Sequence, residues 1–152
     1  MNDLIKTIQH IVSRSTELKN KYTDVSKAPV EFACIFCQSE EEYELFTNAI
    51  KPLGKIAEDT KNGFTYFLDN PITTASGPLR FVKIRKPDFR KERGDADFNT
   101  DYRKFKEKYL NDPKFELVTY ENFEMLRLSD YSFDVMACFS NISKSKVLGI
   151  TL

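Results

Sequence analysis

The sequence predicts an α+β protein in which two tandem βαβββ modules form one curved mixed sheet, preceded by an amphipathic amino-terminal helix. Three observations predict it. First, the pattern from Tyr43 to Leu68 recurs 59 residues later: Tyr43 and Phe46 fall on Tyr102 and Phe105, Ile50 on Tyr109, Ile56 on Phe115, and Asn62-Gly63-Phe64 on Glu121-Asn122-Phe123. Second, in each copy large residues at i, i+3 and one turn beyond mark a helix face, and alternating segments follow a short break. Internal duplication of one supersecondary unit accounts for both. Third, 152 residues with 41% apolar and 13% aromatic side chains suffice for a single domain with its own core.

The elements follow in order. Asn2 to Tyr22 reads as a helix with Asn2 as N-cap, and Leu4, Ile5, Ile8, Ile11, Val12, Leu18 and Tyr22 form one stripe. That stripe either packs on its own domain or meets a second subunit, so a homodimer stays open. Thr23 to Pro29 loses the pattern and is a connector. Phe32 to Cys37 is a buried strand, and Ser39 caps a helix whose acidic first turn, Glu40 to Glu42, complements the helix dipole. That helix ends near Leu53-Gly54. Lys55 to Asp59 and Phe64 to Asp69 are strands about the turn Lys61-Asn62-Gly63, and Leu79 to Lys86 is the strongest strand. After a charged crossover the order repeats: strand Asp95 to Asn99, helix Tyr102 to Leu110 capped by Asp101, then strands Phe115 to Tyr120, Phe123 to Leu128 and Phe133 to Phe139. In the second copy Asp130 to Ser132 replaces the longer Asn70 to Pro78 loop. The single domain thus divides into helix and connector (1–30), first module (31–87), second module (94–141) and tail (142–152).

Composition excludes several classes. The 23 basic and 23 acidic side chains cancel, so no overall field draws the protein to nucleic acid or an anionic membrane. The crossover from Lys83 to Arg93 holds six basic residues, yet no glycine-rich phosphate cradle accompanies it and Phe89 is its one aromatic. Nucleic-acid binding is therefore not expected. No apolar run approaches the roughly 18 residues of a membrane span, and a cytoplasmic location follows as an expectation. Three cysteines fit reduced thiols; Cys34 and Cys37 have CxxC spacing, but residues three apart on a strand face opposite sides. The single histidine, His10, has no nucleophile pattern beside it.

A tandem pair of βαβββ units resembles the vicinal oxygen chelate superfamily, which includes glyoxalase I, methylmalonyl-CoA epimerase, extradiol dioxygenases and the metal-free bleomycin-resistance proteins. The resemblance covers about Glu31 to Asn141. Its local carriers are Asp95-Ala-Asp-Phe-Asn-Thr-Asp-Tyr-Arg-Lys-Phe105, similar to the family's entry into its second module, and Phe81-Val-Lys-Ile-Arg-Lys-Pro87, similar to the strand ending its first. It implies two curved sheets around a cavity where a divalent metal commonly binds. Carried onto this chain, the family's ligand positions hold Glu31 or Phe32, Lys83, Gly94 or Asp95, and Ala137. An ammonium repels a cation and alanine has no donor, so neither a metal nor another cofactor is expected.

In the strand Leu79 to Lys86, alternation puts Phe81, Lys83 and Arg85 on one face and Val82 and Ile84 on the other. With the apolar pair against a helix, Lys83 and Arg85 point into the cavity, where the resemblance makes Asp95 and Asp97 their nearest partners. Two readings compete: an ion-pair cluster standing where the metal would be, or recognition of an anionic ligand by Lys83 and Arg85 with Asp95 or Asp97 orienting it. The inward aromatics, Phe81 among them, suit a flat or hydrophobic molecule. The expected function is metal-independent binding of a small anionic organic ligand, in the manner of glyoxalase-like or bleomycin-resistance proteins. The alternatives are a lyase or isomerase, using the same cavity with a cation on Glu31, Asp95 and Asp97, and an interaction protein with no ligand that works through an exposed Leu4, Ile8 and Ile11 stripe.

Overall fold

In the computed structural model, which describes residues 2–151, the predicted elements form in the predicted order. The first module comprises β1 (Val30–Phe36), α2 (Glu40–Ile50), a 3₁₀ turn (Lys51–Leu53), β2 (Gly54–Thr60), β3 (Gly63–Thr74) and β4 (Gly77–Arg85), after α1 (Asn2–Tyr22). The second comprises β5 (Gly94–Phe98), α3 (Tyr102–Tyr109), β6 (Phe115–Thr119), β7 (Glu124–Leu128) and β8 (Val135–Ser140), before α4 (Lys144–Leu148). The N-cap role expected of Asn2 concerns a side chain outside the described ones.

All eight strands join one mixed sheet in the order β2-β3-β4-β1-β5-β8-β7-β6. The protein is therefore α+β. Each module has its first strand parallel to its last, β1 to β4 and β5 to β8, and the modules meet through an antiparallel β1–β5 pair. The two copies of the repeat occupy equivalent places. Phe46 and Ile50 of α2, and Phe105 and Tyr109 of α3, are buried in one core on the helix-covered face. There Phe105 stacks on Phe139 at 4.2 Å between ring centroids.

Ser39 caps α2 by accepting from the Glu42 amide at 3.1 Å, while Glu42 accepts from the Gln38 amide at 3.0 Å, so the residue pattern that predicted the helix start also satisfies its free amides. Gly94 serves a different need. A Cβ there would lie 2.1 Å from the Cys34 carbonyl oxygen and 2.8 Å from the Ile11 side chain, so only glycine lets β5 enter flush against β1.

The stripe of α1 packs on its own sheet. Leu4, Ile8, Ile11, Val12 and Leu18 are at most 1% exposed, and α1 lies across β8, β1 and β5. At about 2 kcal/mol per buried aliphatic side chain, that face contributes on the order of 10 kcal/mol. Polar contacts set its register: Ser15 Oγ donates to the Met136 carbonyl at 2.9 Å, and the Tyr22 hydroxyl donates to the Asp130 carboxylate. The fully buried Lys19 donates to Asn20 Oδ1 at 2.8 Å and to the Val25 and Ser26 carbonyls at 2.9 and 3.0 Å, pinning the connector. The apolar stripe expected to serve an interaction protein or a homodimer is thus already covered.

Two segments differ from expectation. Asn70 to Pro78 is not a loop: β3 runs on to Thr74 and stays paired with β4 as far as Thr74 opposite Gly77. The run Asp69-Asn70-Pro71 has turn chemistry, but it coincides with a register break between Phe67 and Ile72, where proline needs no ladder donor. The tail contains α4, five residues closed by Gly149 at φ 68°. A helix that short leaves no periodicity to read.

Candidate ligand-binding cavity

The face of the sheet away from α1, α2 and α3 lines a cavity of about 330 Å³. Alternation builds it. Phe32, Cys34 and Phe36 from β1, Lys83 and Arg85 from β4, and Asp95 and Asp97 from β5 point inward, while Ala33, Ile35, Val82, Ile84 and Ala96 go to the core. Lys83, Arg85, Asp95 and Asp97 are therefore brought to one place. Phe81 is a correction: it shares their strand face but is 0% exposed, packs on Phe67 at 5.1 Å between centroids, and does not line the cavity.

The expected ion-pair cluster does not form. In register Cys34 lies opposite both Lys83 and Asp95, so β1 separates them by two strand spacings, about 10 Å. Among the described residues Lys83 makes no ion pair or hydrogen bond. Arg85 instead reaches Asp88 at 3.2 Å, and Arg90 meets the same carboxylate at 2.6 Å. Of the three cations on this wall, two thus share one carboxylate and Lys83 has none among the described residues. On the far side Arg127 contacts Glu116 at 3.5 Å, and its Nε is buried without a partner.

The floor is acidic. Asp95 accepts from the Cys138 thiol at 3.6 Å and Asp97 from the Ser140 hydroxyl at 3.3 Å. Burial and then the neighbouring Asp95 push the Asp97 carboxyl up to about 8. Burial also raises Asp95, with Arg127 pulling the other way. Both shifts run towards the neutral form, so the pair holds a proton to higher pH than exposed aspartates do and then offers a donor to the cavity. Burial lowers the Lys83 ammonium, and Arg85 and Lys144 act in the same sense against Cys34 and Glu58.

One oxygen each of Asp95 and Asp97 and the Cys138 sulfur lie within 4.8 Å of one another, the place where a small cation would sit. Cys138 belongs here and Ala137, carried over from the resemblance, does not: Ala137 faces the core. Burial, followed by the charges of Asp95 and Asp97, holds the Cys138 thiol well above its usual range, which favours a proton over a soft cation. Glu31 does not complete the group. Its carboxylate, 7% exposed, accepts the Lys144 and Ser145 amides at 2.8 Å each.

Those bonds seat α4 over the cavity, where Ile142, Lys144 and Val147 line it; Lys144 also pairs with Glu58 at 2.9 Å. Residues missed in the sequence are Arg90, Arg127 and Lys144, while of the strand aromatics the pair Tyr120 and Phe123, stacked at 4.6 Å between ring centroids, turns to the cavity. Alternation along β7 would have placed Arg127 with Met125 on the inner face. Nothing local marks Arg90, in the irregular crossover, or Lys144, in a five-residue helix too short to show periodicity. Of the cysteines, Cys34 joins Phe36 and Met136 on the cavity side while Cys37 enters the main core, as three-residue spacing on a strand requires.

A solved structure shares this fold. It is protein EC4020 from structural genomics, similar at a TM-score of 0.73 over 97% of this chain and 91% of that one, with 12% identity. No protein-family model matches the chain, and no curated protein does. The similarity concerns architecture alone, since fold does not carry function at that identity.

Proposed function

We infer that the protein binds a small organic anion in the cavity between its modules, without a metal, as a divergent relative of the vicinal oxygen chelate proteins. The observation that carries this reading is the wall of Lys83, Arg85 and Arg90, in which Asp88 pairs with the two arginines and Lys83 has no carboxylate partner among the described residues. Positive charge in excess of its partners in a concavity attracts an anion, and a guanidinium offers it two parallel donors. Phe32, Phe36, Tyr120 and Phe123 supply apolar surface for the rest of the molecule, and the volume is in the range of small-molecule pockets. Like the order of the strands, the ammonium of Lys83 at a position where the resemblance implies a metal ligand supports placement beside the metal-free members of that superfamily.

Thermal shift with phenylacetate as probe tests it. At a hundredfold excess over Kd, binding adds about 2.7 kcal/mol, raising Tm by about 5–10 °C. Arg85→Glu abolishes that rise while leaving the unliganded Tm near wild type; an unchanged rise removes Arg85 from the site. The lyase or isomerase reading is favoured by one observation, the buried Asp95 and Asp97 pair. A stoichiometric divalent ion in protein purified without chelator supports that reading against the metal-free one.

A further inference from the structure

We propose that Lys83 captures the carbonyl group of a small 2-oxo acid as a reversible imine. The inference rests on the anion-binding reading and names its ligand class. Its basis is the isolation of Lys83 among the cavity cations. Arg85 and Arg90 have Asp88, Arg127 has Glu116 and Lys144 has Glu58, while among the described residues Lys83 has no ion pair or hydrogen bond. The carboxylate best placed to serve it, Glu58, is already committed to Lys144 at 2.9 Å and to the Thr65 hydroxyl at 3.0 Å. Across the sheet its neighbours in register are Thr65 and Cys34, neither of them charged in its buried setting.

A half-buried lysine without a counterion, near Arg85 and Lys144, has a larger neutral fraction than an exposed one, and burial acts in the same sense. The amine then faces a cavity rather than the core. Arg85 lies two residues along the same strand face, about 7 Å away at the backbone, and two long side chains converge easily over that distance. Lys83 on a carbonyl carbon and Arg85 on the adjacent carboxylate define a 2-oxo acid, and the aromatic lining selects one with an apolar or aromatic remainder.

The chemistry balances with nothing further supplied. The Nζ lone pair adds to the carbonyl carbon, and the oxygen takes one amine hydrogen to give a carbinolamine. Loss of the hydroxyl with the second amine hydrogen then releases one water and leaves a C=N bond. Water reverses the step.

Phenylpyruvate with sodium cyanoborohydride is the test, because reduction fixes the imine as a secondary amine that peptide mass spectrometry locates. The label is expected on Lys83 at least about tenfold above any other lysine, given the effective concentration the cavity imposes. Phenyllactate, which has no carbonyl, yields no label, and phenylacetone, which has no carboxylate, yields much less. Lys83→Arg, checked for its own melting transition, loses the label. Label spread over surface lysines, or undiminished in Lys83→Arg, overturns the proposal. If phenylpyruvate and phenyllactate both raise Tm and Lys83 stays unlabelled, the imine fails while anion binding stands. If neither ligand raises Tm and no label appears, both fail.

Discussion

Replacing Asp97 with asparagine probes the cavity floor through stability, independently of any ligand. In the folded protein the Asp97 carboxyl keeps its proton to about pH 8, against 3.8 for an ordinary aspartate. Between those limits the native state binds more protons than the unfolded chain, so this group's contribution is fully present below about pH 4 and is lost as pH rises to about 8. A decade in proton affinity is worth about 1.4 kcal/mol, which sets a ceiling of about 6 kcal/mol; relaxation of a side chain that still borders the cavity brings the expected loss to on the order of 2 kcal/mol. Asparagine keeps the shape and cannot ionise. Urea denaturation at about pH 5 and about pH 8 reads the difference: wild type loses stability between them, and Asp97→Asn loses much less and exceeds wild type at the higher pH. Parallel curves for the two proteins would refute the raised proton affinity of Asp97.

Glu31→Ala strands the Lys144 and Ser145 amides that its carboxylate now satisfies. It should cost about 1–3 kcal/mol and speed hydrogen exchange at those two amides, and unchanged protection there would show that α4 is held otherwise. The three free cysteines are all buried, and burial raises Cys34 well above its usual range and Cys37 to about 12. A disulfide reagent should therefore find no rapidly reacting thiol in native protein and all three in urea; a fast native thiol would mean that the cavity floor opens.

The success of alternation on β4 and β5 has a simple cause. Strand geometry repeats every two residues, so Lys83 and Arg85 had to share a face, as did Asp95 and Asp97, whatever their surroundings. Whether the two pairs touch was a different kind of question. It depends on which strand lies between them, and β1 does. Phe81 fails for a related reason: a shared face does not set depth, and Phe67 from β3 covers it. Arg90 reaches the cavity from an irregular crossover and Lys144 from a helix too short to show periodicity, so their positions follow from packing and from single contacts such as those to Asp88 and Glu31.

Sequence alone determined the two βαβββ modules, the amphipathic first helix and the inward set of charges, because each is encoded by short-range periodicity that any chain of this pattern must obey. Tertiary structure alone decided that the sheet orders as β2-β3-β4-β1-β5-β8-β7-β6. That order holds Lys83 two strands away from Asp95, and the contact of Glu31 with Lys144 and Ser145 brings α4 to the cavity. These outcomes turn on distances between residues far apart in the chain, and no local pattern carries such distances.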